Sequence, residues 1–262
     1  MELELTGKVA IVTGGANGMG EAVAHELAGN GAAVVIADID AERSALVEKE
    51  IREAGGEAHS IVTDVRDEEQ VRSLVEQVVT RFGRIDVLDN NAASLDLTAQ
   101  DPDLVSLEPE ILVQTLRGNL VAPFLCCKHI IPVMIENGGG SIINMASVAG
   151  MTGDIALSAY AMSKAGVIQL TRLVATQYGK QNVRCNAIAP ATILTRNVDS
   201  YMPDDYRRAY IRNSLTSYLG MPQDVSGLVA FLASERARYM TGHVIPVDGG
   251  IAAALPVVAD RR

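Results

Sequence analysis

One junction near the start restricts this chain most. The β-branched run Lys8–Val12 (KVAIV) passes directly into Thr13-Gly14-Gly15-Ala16-Asn17-Gly18-Met19-Gly20, and a helical pattern covers Gly18–Asn30. A short apolar strand that turns at once into a helix needs residues that tolerate positive φ and close backbone approach, which glycine supplies. The helix that starts there aims unpaired N–H groups and the positive end of its dipole at the turn, an arrangement suited to a diphosphate. The spacing is Gly-x-x-x-Gly-x-Gly. Such a turn alone also serves purely structural roles; its place between strand and helix favours the phosphate reading.

The same strand–helix rhythm continues along the chain. Strands are expected at Ala33–Ala37, Ala58–Val62, Ile85–Leu88, Ser141–Met145, Val183–Ile188 and His243–Val247. Helices are expected at Ala41–Ala54, Glu68–Phe82, Pro109–Glu136 with a bend near its prolines, Ala159–Tyr178 and Pro222–Ala233. The strands are short, apolar and β-branched, as strands covered on both faces are. Alternation with right-handed crossovers gives an α/β fold, a Rossmann-like doubly wound parallel sheet of about seven strands with helices on both faces. No composition shift marks a boundary, so one dinucleotide-binding and catalytic domain over 1–262 is expected. Two long loops, Asn91–Glu108 and Ala191–Gly220, follow strands and are expected to wall a substrate site. The second, with Tyr201, Met202, Tyr206 and Tyr210, is expected to act as a lid.

The net charge of −10 and the lack of a Lys/Arg cluster argue against a nucleic-acid partner. The apolar stretch Leu120–Ile135 contains Pro123, Lys128, His129 and Pro132, which favours a buried helix over a membrane span. The first residues, MELELTGK, lack a signal-peptide apolar region. Cys126, Cys127 and Cys185 have no metal-ligand spacing, which fits a reducing compartment; Cys126 and Cys127 read as helix core. A cytoplasmic location is expected. His25, His59, His129 and His243 do not cluster in sequence, so no metal site is expected. Met145, Met151 and Met162 lie near the expected cleft, where they line it or pack in the core.

The second strand ends at Asp38, 18 residues past Gly20. A carboxylate there accepts hydrogen bonds from both ribose hydroxyls of NAD and repels the 2′-phosphate of NADP. No Arg or Lys adjoins it in Ala37-Asp38-Ile39-Asp40, so NAD is the expected cofactor. The alternative is that Asp38 merely caps the helix starting near Ala41.

Ser147 follows the fifth expected strand, and Tyr160-Ala161-Met162-Ser163-Lys164 follows 13 residues later. Positions i and i+4 share a helix face, so Tyr160 and Lys164 point together. A phenol is a poor base at neutral pH; a nearby ammonium and an oxidised nicotinamide favour its phenolate. Tyr160 is then acid or base for an alcohol, and Ser147 holds the substrate oxygen. Taken singly, Ser147 and the Tyr-x-x-x-Lys pair are unremarkable; their order and spacing behind the phosphate turn give them weight.

Over essentially its whole length the sequence resembles the short-chain dehydrogenase/reductase family. The matching pieces are TGGANGMG at 13–20, Asp38, Asp64-Val65, NNAA at 90–93, Asn119, Ser147, YAMSK at 160–164, PATILT at 190–195 and VDGG at 247–250. The resemblance implies a catalytic set of Asn119, Ser147, Tyr160 and Lys164, with substrate held by Ser147 and Tyr160. Asn119 would support a water-linked proton path to Lys164. It also implies cofactor contacts at Gly14, Asn17, Gly18, Met19, Gly20, Asp38, Ile39, Asp64, Val65, Asn91, Ala92, Ala93, Tyr160, Lys164, Pro190, Ile193 and Thr195. Of these, Asp64 and Val65 would meet adenine, Asn91 and Lys164 the riboses, and Ile193 and Thr195 the carboxamide side of the nicotinamide. The chain departs from the family pattern at Ala93 and Ala191, where glycine is usual, and at Asp89, where an apolar residue is usual. The implied activity is hydride transfer between NAD and a secondary alcohol or ketone such as a hydroxysteroid, terpenoid alcohol or diol. Two alternatives stand beside it: a 3-oxoacyl thioester reductase, against which Asp38 argues, and a non-catalytic dinucleotide sensor. A homotetramer is implied, with the apolar tail Ile251–Val258 as a further subunit contact or pocket wall.

Overall fold

Val9–Thr13 forms β1, and every residue of it is buried, as a strand with neighbours on both edges and helices on both faces must be. The computed structural model describes residues 5–253. The chain runs β1, α1 (Gly18–Gly29), β2 (Ala33–Asp38), α2 (Ala41–Glu53), β3 (Glu57–Val62), α3 (Glu68–Phe82) and β4 (Val87–Asn90). It continues through α4 (Pro109–Leu116), α5 (Ala122–Glu136), β5 (Gly140–Met145), α6 (Ser158–Tyr178) and β6 (Val183–Pro190). The last elements are α7 (Arg196–Tyr201), α8 (Asp204–Asn213), α9 (Pro222–Ala233) and β7 (Val244–Val247).

All strand pairs are parallel, in the order β3-β2-β1-β4-β5-β6-β7. One apolar layer sets Val71, Leu74, Ile130, Met134 and Val174 of α3, α5 and α6 against the sheet. The other sets Val23, Leu27, Val47, Ile51, Val225 and Val229 of α1, α2 and α9 against the opposite face. The strand order reverses between β1 and β4. The loops leaving their carboxyl ends therefore diverge and open a crevice, the usual ligand position in such sheets.

Three departures from the sequence reading have physical causes. β4 lies two residues later than expected, because Asp89 and Asn90 pair in register with Val12 and Thr13 despite being polar. The helical run Pro109–Glu136 breaks as a π turn at Arg117–Val121, before either internal proline. Pro123 lacks the N–H that an α-helix would direct to the Asn119 carbonyl, so the regular ladder cannot continue there. The stretch 191–220 is not an irregular loop but holds α7 and α8; both are short and rich in charge, with few apolar residues to mark a buried face. The 109–136 run is long and apolar enough to cross a membrane by composition, yet Leu125, Cys126, Ile130 and Met134 are buried in the core. Of the tail Ile251–Val258, residues 254–258 lie outside the described residues.

Candidate active site

The turn after β1 is built by glycines at three distinct places. Gly14 and Gly18 take φ of +65° and +60°, a region that L side chains rarely enter. Gly20 serves packing instead. A Cβ there would stand 2.1 Å from the Gly14 carbonyl oxygen and 2.5 Å from Asn91 Nδ2, so only glycine lets α1 approach the turn. The loop after β4 locks onto the same turn. Thr13 Oγ1 accepts from the Asn91 and Ala92 amides at 3.1 and 3.2 Å, and Asn91 Nδ2 donates to the Gly14 carbonyl at 3.1 Å. Asn91 Oδ1 is buried without a protein partner among the described residues, an acceptor left for a ligand.

A cleft of about 680 Å³ opens above this turn. Gly14, Asn17, Gly18, Met19, Asp38, Ile39, Asp64, Val65, Asn91, Ala92, Ala93 and Thr195 all line it. Glycine-built approach, a helix N-terminus and an unpaired acceptor fit a nicotinamide dinucleotide. Asp38 accepts from the Ala16 amide at 3.0 Å through one oxygen and from the Asp40 amide at 3.0 Å through the other. It thus ties the phosphate turn to the end of β2. It is not the cap of α2; Asp40 is, accepting from the Arg43 amide at 3.0 Å. Asp64 forms a two-pronged pair with Arg66, whose guanidinium holds the carboxyl below its ordinary value.

Several expected contacts do not line this cleft. Gly20 is consumed by packing. Pro190 ends β6, and the Ile193 side chain is buried beside a backbone bridge to Gly220. Ala191 and Ile193 instead border a small cavity with Tyr210, Tyr218 and Asp248. Ala191 therefore borders that cavity, while Ala93 borders the dinucleotide cleft.

Tyr160, Ser147, Lys164 and Asn119 belong to the elements that follow β5 and β4. Ser147 turns the chain after β5, accepting from the Ala149 amide at 3.2 Å, and its hydroxyl stands near enough to the Tyr160 phenol to favour its ionised form. Lys164 is buried; its Nζ donates to the Met145 carbonyl at 2.8 Å and lies 5.6 Å from the centre of the Tyr160 ring. Burial pushes the Lys164 ammonium down to about 8. Burial also raises the Tyr160 phenol, and the nearby Ser147 hydroxyl opposes that rise. The expected lowering of Tyr160 depends on an oxidised nicotinamide beside it as well as on the ammonium. Asn119 sits in the π turn, where Oδ1 accepts from the Ser94 amide at 2.7 Å and Nδ2 donates to the Ser94 carbonyl at 3.3 Å.

Four contributions were not read from the sequence, although Thr13 was named within the turn motif and Tyr210 within the expected lid. Thr13 and Ser94 join strands and loops as described. Asp101 holds the start of α6, accepting from the Ala159 and Tyr160 amides. Tyr210 of α8 lies close enough to Tyr160 to oppose its ionisation. None has a local signal, since each acts across a long sequence separation. Asp89 is fully buried, and neither carboxylate oxygen has a partner among the described residues. Its register partners Val12 and Ile143 belong to the apolar layer against α1 and α9, so desolvation raises its carboxyl well above the ordinary value. Cys126, Cys127 and Cys185 are free and buried, and burial pushes the Cys127 thiol up to about 12. Met145 packs in the core, whereas Met151 and Met162 are exposed. The histidines do not group with one another, but His25 stands near Glu21 and Glu50 in a possible ligand geometry. The Glu21 carboxylate is already engaged there by Arg43 at 3.0 Å and Arg196 at 3.7 Å.

Comparison with known proteins agrees with this geometry. A family profile described as enoyl-(acyl carrier protein) reductase matches residues 14–252. The chain is 41% identical to a Bradyrhizobium diazoefficiens protein named as a short-chain type dehydrogenase/reductase, over 97% of this chain and 90% of that one. It is 36% identical to the 7α-hydroxysteroid dehydrogenase of Bacteroides fragilis, over 96% of each chain. A solved 7α-hydroxysteroid dehydrogenase complexed with NADH and 7-oxo glycochenodeoxycholic acid superposes with a TM-score of 0.89 at 32% identity, covering 95% of this chain and 96% of that one. With a glycine-built dinucleotide turn, and with Ser147, Tyr160 and a buried Lys164 gathered beyond one parallel sheet, the chain belongs to the short-chain dehydrogenase/reductase family.

Proposed function

We propose that the protein is an NAD-dependent oxidoreductase that interconverts a secondary alcohol and its ketone, with Tyr160 as the acid/base. The observation that carries this reading is the Lys164 ammonium, buried 5.6 Å from the centre of the Tyr160 ring, with the Ser147 hydroxyl close to the same phenol. A bound nicotinamide would supply the hydride acceptor for alcohol oxidation and the hydride donor for ketone reduction. Ser147 and Tyr160 together offer two hydroxyls to one substrate oxygen, which fixes that oxygen and the carbon bearing it. In reduction the raised Tyr160 phenol is in its protonated form and donates to the forming alkoxide. In oxidation Tyr160 takes the alcohol proton as phenolate, and Lys164 supplies positive charge beside it. Asn119, fixed by Ser94, stands in the π turn between the cleft-lining loop and α5.

Asp38 supports NAD over NADP, because a 2′-phosphate would meet a carboxylate whose oxygens already hold the turn. The same preference weighs against a 3-oxoacyl thioester reductase. Leu95, Met151, Ile155 and Tyr206 are exposed apolar side chains on the segments after β4, β5 and β6, which supports a bulky apolar alcohol such as a hydroxysteroid. The stretch 191–220 serves as the substrate lid in this reading, and the enzyme is a cytoplasmic homotetramer, a mass that light scattering measures. The test is a panel of hydroxysteroids, cyclic terpenoid alcohols and diols with NAD⁺ and NADP⁺, run beside Tyr160→Phe. NAD⁺-linked turnover that is lost in the variant supports the assignment. An unreactive panel, or an equally active Tyr160→Phe, overturns it.

A further inference from the structure

The helix that carries Tyr160 does not cap itself. The residue before it, Leu157, takes φ of +58° and gives no side-chain cap. The cap comes from 58 residues upstream. Asp101 is buried, and its two carboxylate oxygens accept separately from the Ala159 amide at 2.9 Å and the Tyr160 amide at 2.8 Å. Its carbonyl accepts from the Leu157 amide at 2.9 Å, and Ser158 Oγ donates to the Pro102 carbonyl at 2.9 Å. One loop residue thus fixes three successive or near-successive backbone groups of the catalytic helix, including that of the tyrosine itself. A carboxylate at a helix N-terminus also meets the positive end of the dipole, which strengthens the hold.

The near end of that loop belongs to the dinucleotide cleft. Asn91 and Ala92 hang on Thr13, and Ser94 pairs with both polar atoms of the Asn119 side chain. Ser94 Oγ also occupies the space that a side chain at Gly118 would need, 2.1 Å from its would-be Cβ. Between Ser94 and Asp101 the backbone is not slack. Thr98 N donates to the Leu95 carbonyl, Gln100 N to Leu97 and Asp101 N to Thr98, a 3-10 turn that transmits position.

We propose that Asp101 is a positioning residue for Tyr160, the far anchor of a strap that ties the cofactor cleft to the acid/base. This rests on the reading of Tyr160 given above. Side-chain placement at a proton-transfer site is worth about 10²-fold in rate per ångström of error. Releasing the two amides frees the first turn of α6, and with it the Tyr160 hydroxyl relative to Ser147.

The test compares wild type, Asp101→Ala, Asp101→Asn and Tyr160→Phe with the alcohol found by the substrate panel at saturating NAD⁺. NADH binding stoichiometry is measured on the same samples by calorimetry. Asp101→Ala is expected to lose about 10²-fold in kcat, with KM for the alcohol and NADH stoichiometry unchanged. Asp101→Asn keeps one acceptor and is expected to fall between the two. Exchange of the Ala159 and Tyr160 amides, followed by mass spectrometry, is expected to accelerate in both variants. That arm needs no turnover, and Asp101→Asn covers the case in which the alanine variant fails to fold. A wild-type kcat in Asp101→Ala beside an inactive Tyr160→Phe overturns the role of Asp101 alone. So does a kcat loss matched by an equal loss of NADH-binding sites, or unaltered exchange of the two amides. An active Tyr160→Phe instead strikes the acid/base reading beneath it.

Discussion

The Lys164 ammonium lies 5.6 Å from the centre of the Tyr160 ring, with a hydrogen bond to the Met145 carbonyl holding it there. Burying this cation comes at a cost to folding. Its pKa is pushed down to about 8 from 10.5, so the unfolded chain holds more protons between those values. Stability from this group therefore rises with pH across that window and is lowest below it, by up to about 3 kcal/mol. Lys164→Met is expected to lose alcohol oxidation by about 10²-fold or more while melting higher than wild type at pH 7. A calorimetric scan at pH 7 and pH 10 checks this; the gain should shrink at the higher pH.

Asp89 carries the opposite sign. Its carboxyl is raised in the fold, so the folded chain holds the extra proton once the pH exceeds the ordinary carboxylate range. Each pH unit above that range removes about 1.4 kcal/mol until the folded group also ionises. Asp89→Val, which continues the apolar layer of Val12 and Ile143, is expected to raise Tm, and more so at pH 8 than at pH 5. Thermal melts at the two pH values measure the difference. Equal gains at both would contradict a buried, unpaired acid.

Gly20→Ala should be costly for a reason that has nothing to do with φ. The added carbon would lie 2.1 Å from the Gly14 oxygen, so α1 and the phosphate turn must separate. Overpacking of this kind costs about 1–3 kcal/mol, and the turn that receives the diphosphate is displaced with it. We expect at least about tenfold weaker NADH binding and a lower Tm, read by calorimetric titration and thermal melting.

Asp38→Ala should narrow the preference for NAD over NADP. It removes both the carboxylate expected to face the ribose and the acceptor for the Ala16 and Asp40 amides. Loss of a charged hydrogen bond is worth about 1.5–3 kcal/mol, so the ratio of kcat/KM values for the two cofactors should fall by about tenfold or more. The comparison of initial rates with NAD⁺ and NADP⁺ decides it; an unchanged ratio would remove Asp38 from the cofactor site.

Much of this protein was written locally. The apolar, β-branched strands and the periodic helices α1, α2, α3, α6 and α9 follow from short-range patterns, and the observed boundaries agree within a residue or two. The glycines of the turn, Asp38, Ser147 and the Tyr160–Lys164 spacing were legible for the same reason: each depends on neighbours in the chain. The helices α7 and α8 were not, because they are short and charged and carry few apolar residues to read; α8 has no buried residue. Nor was the π turn at Arg117–Val121, which arises where Pro123 leaves a carbonyl without its donor. The tertiary structure alone decided that Asp101 caps the helix of Tyr160, that Ser94 clamps Asn119, and that Asp89 has no partner among the described residues. It also set the direction in which Tyr160, Lys164 and Asp89 titrate. Those outcomes turn on burial and on contacts across tens of residues, and desolvation is a property of the folded surroundings that no local pattern of residues encodes.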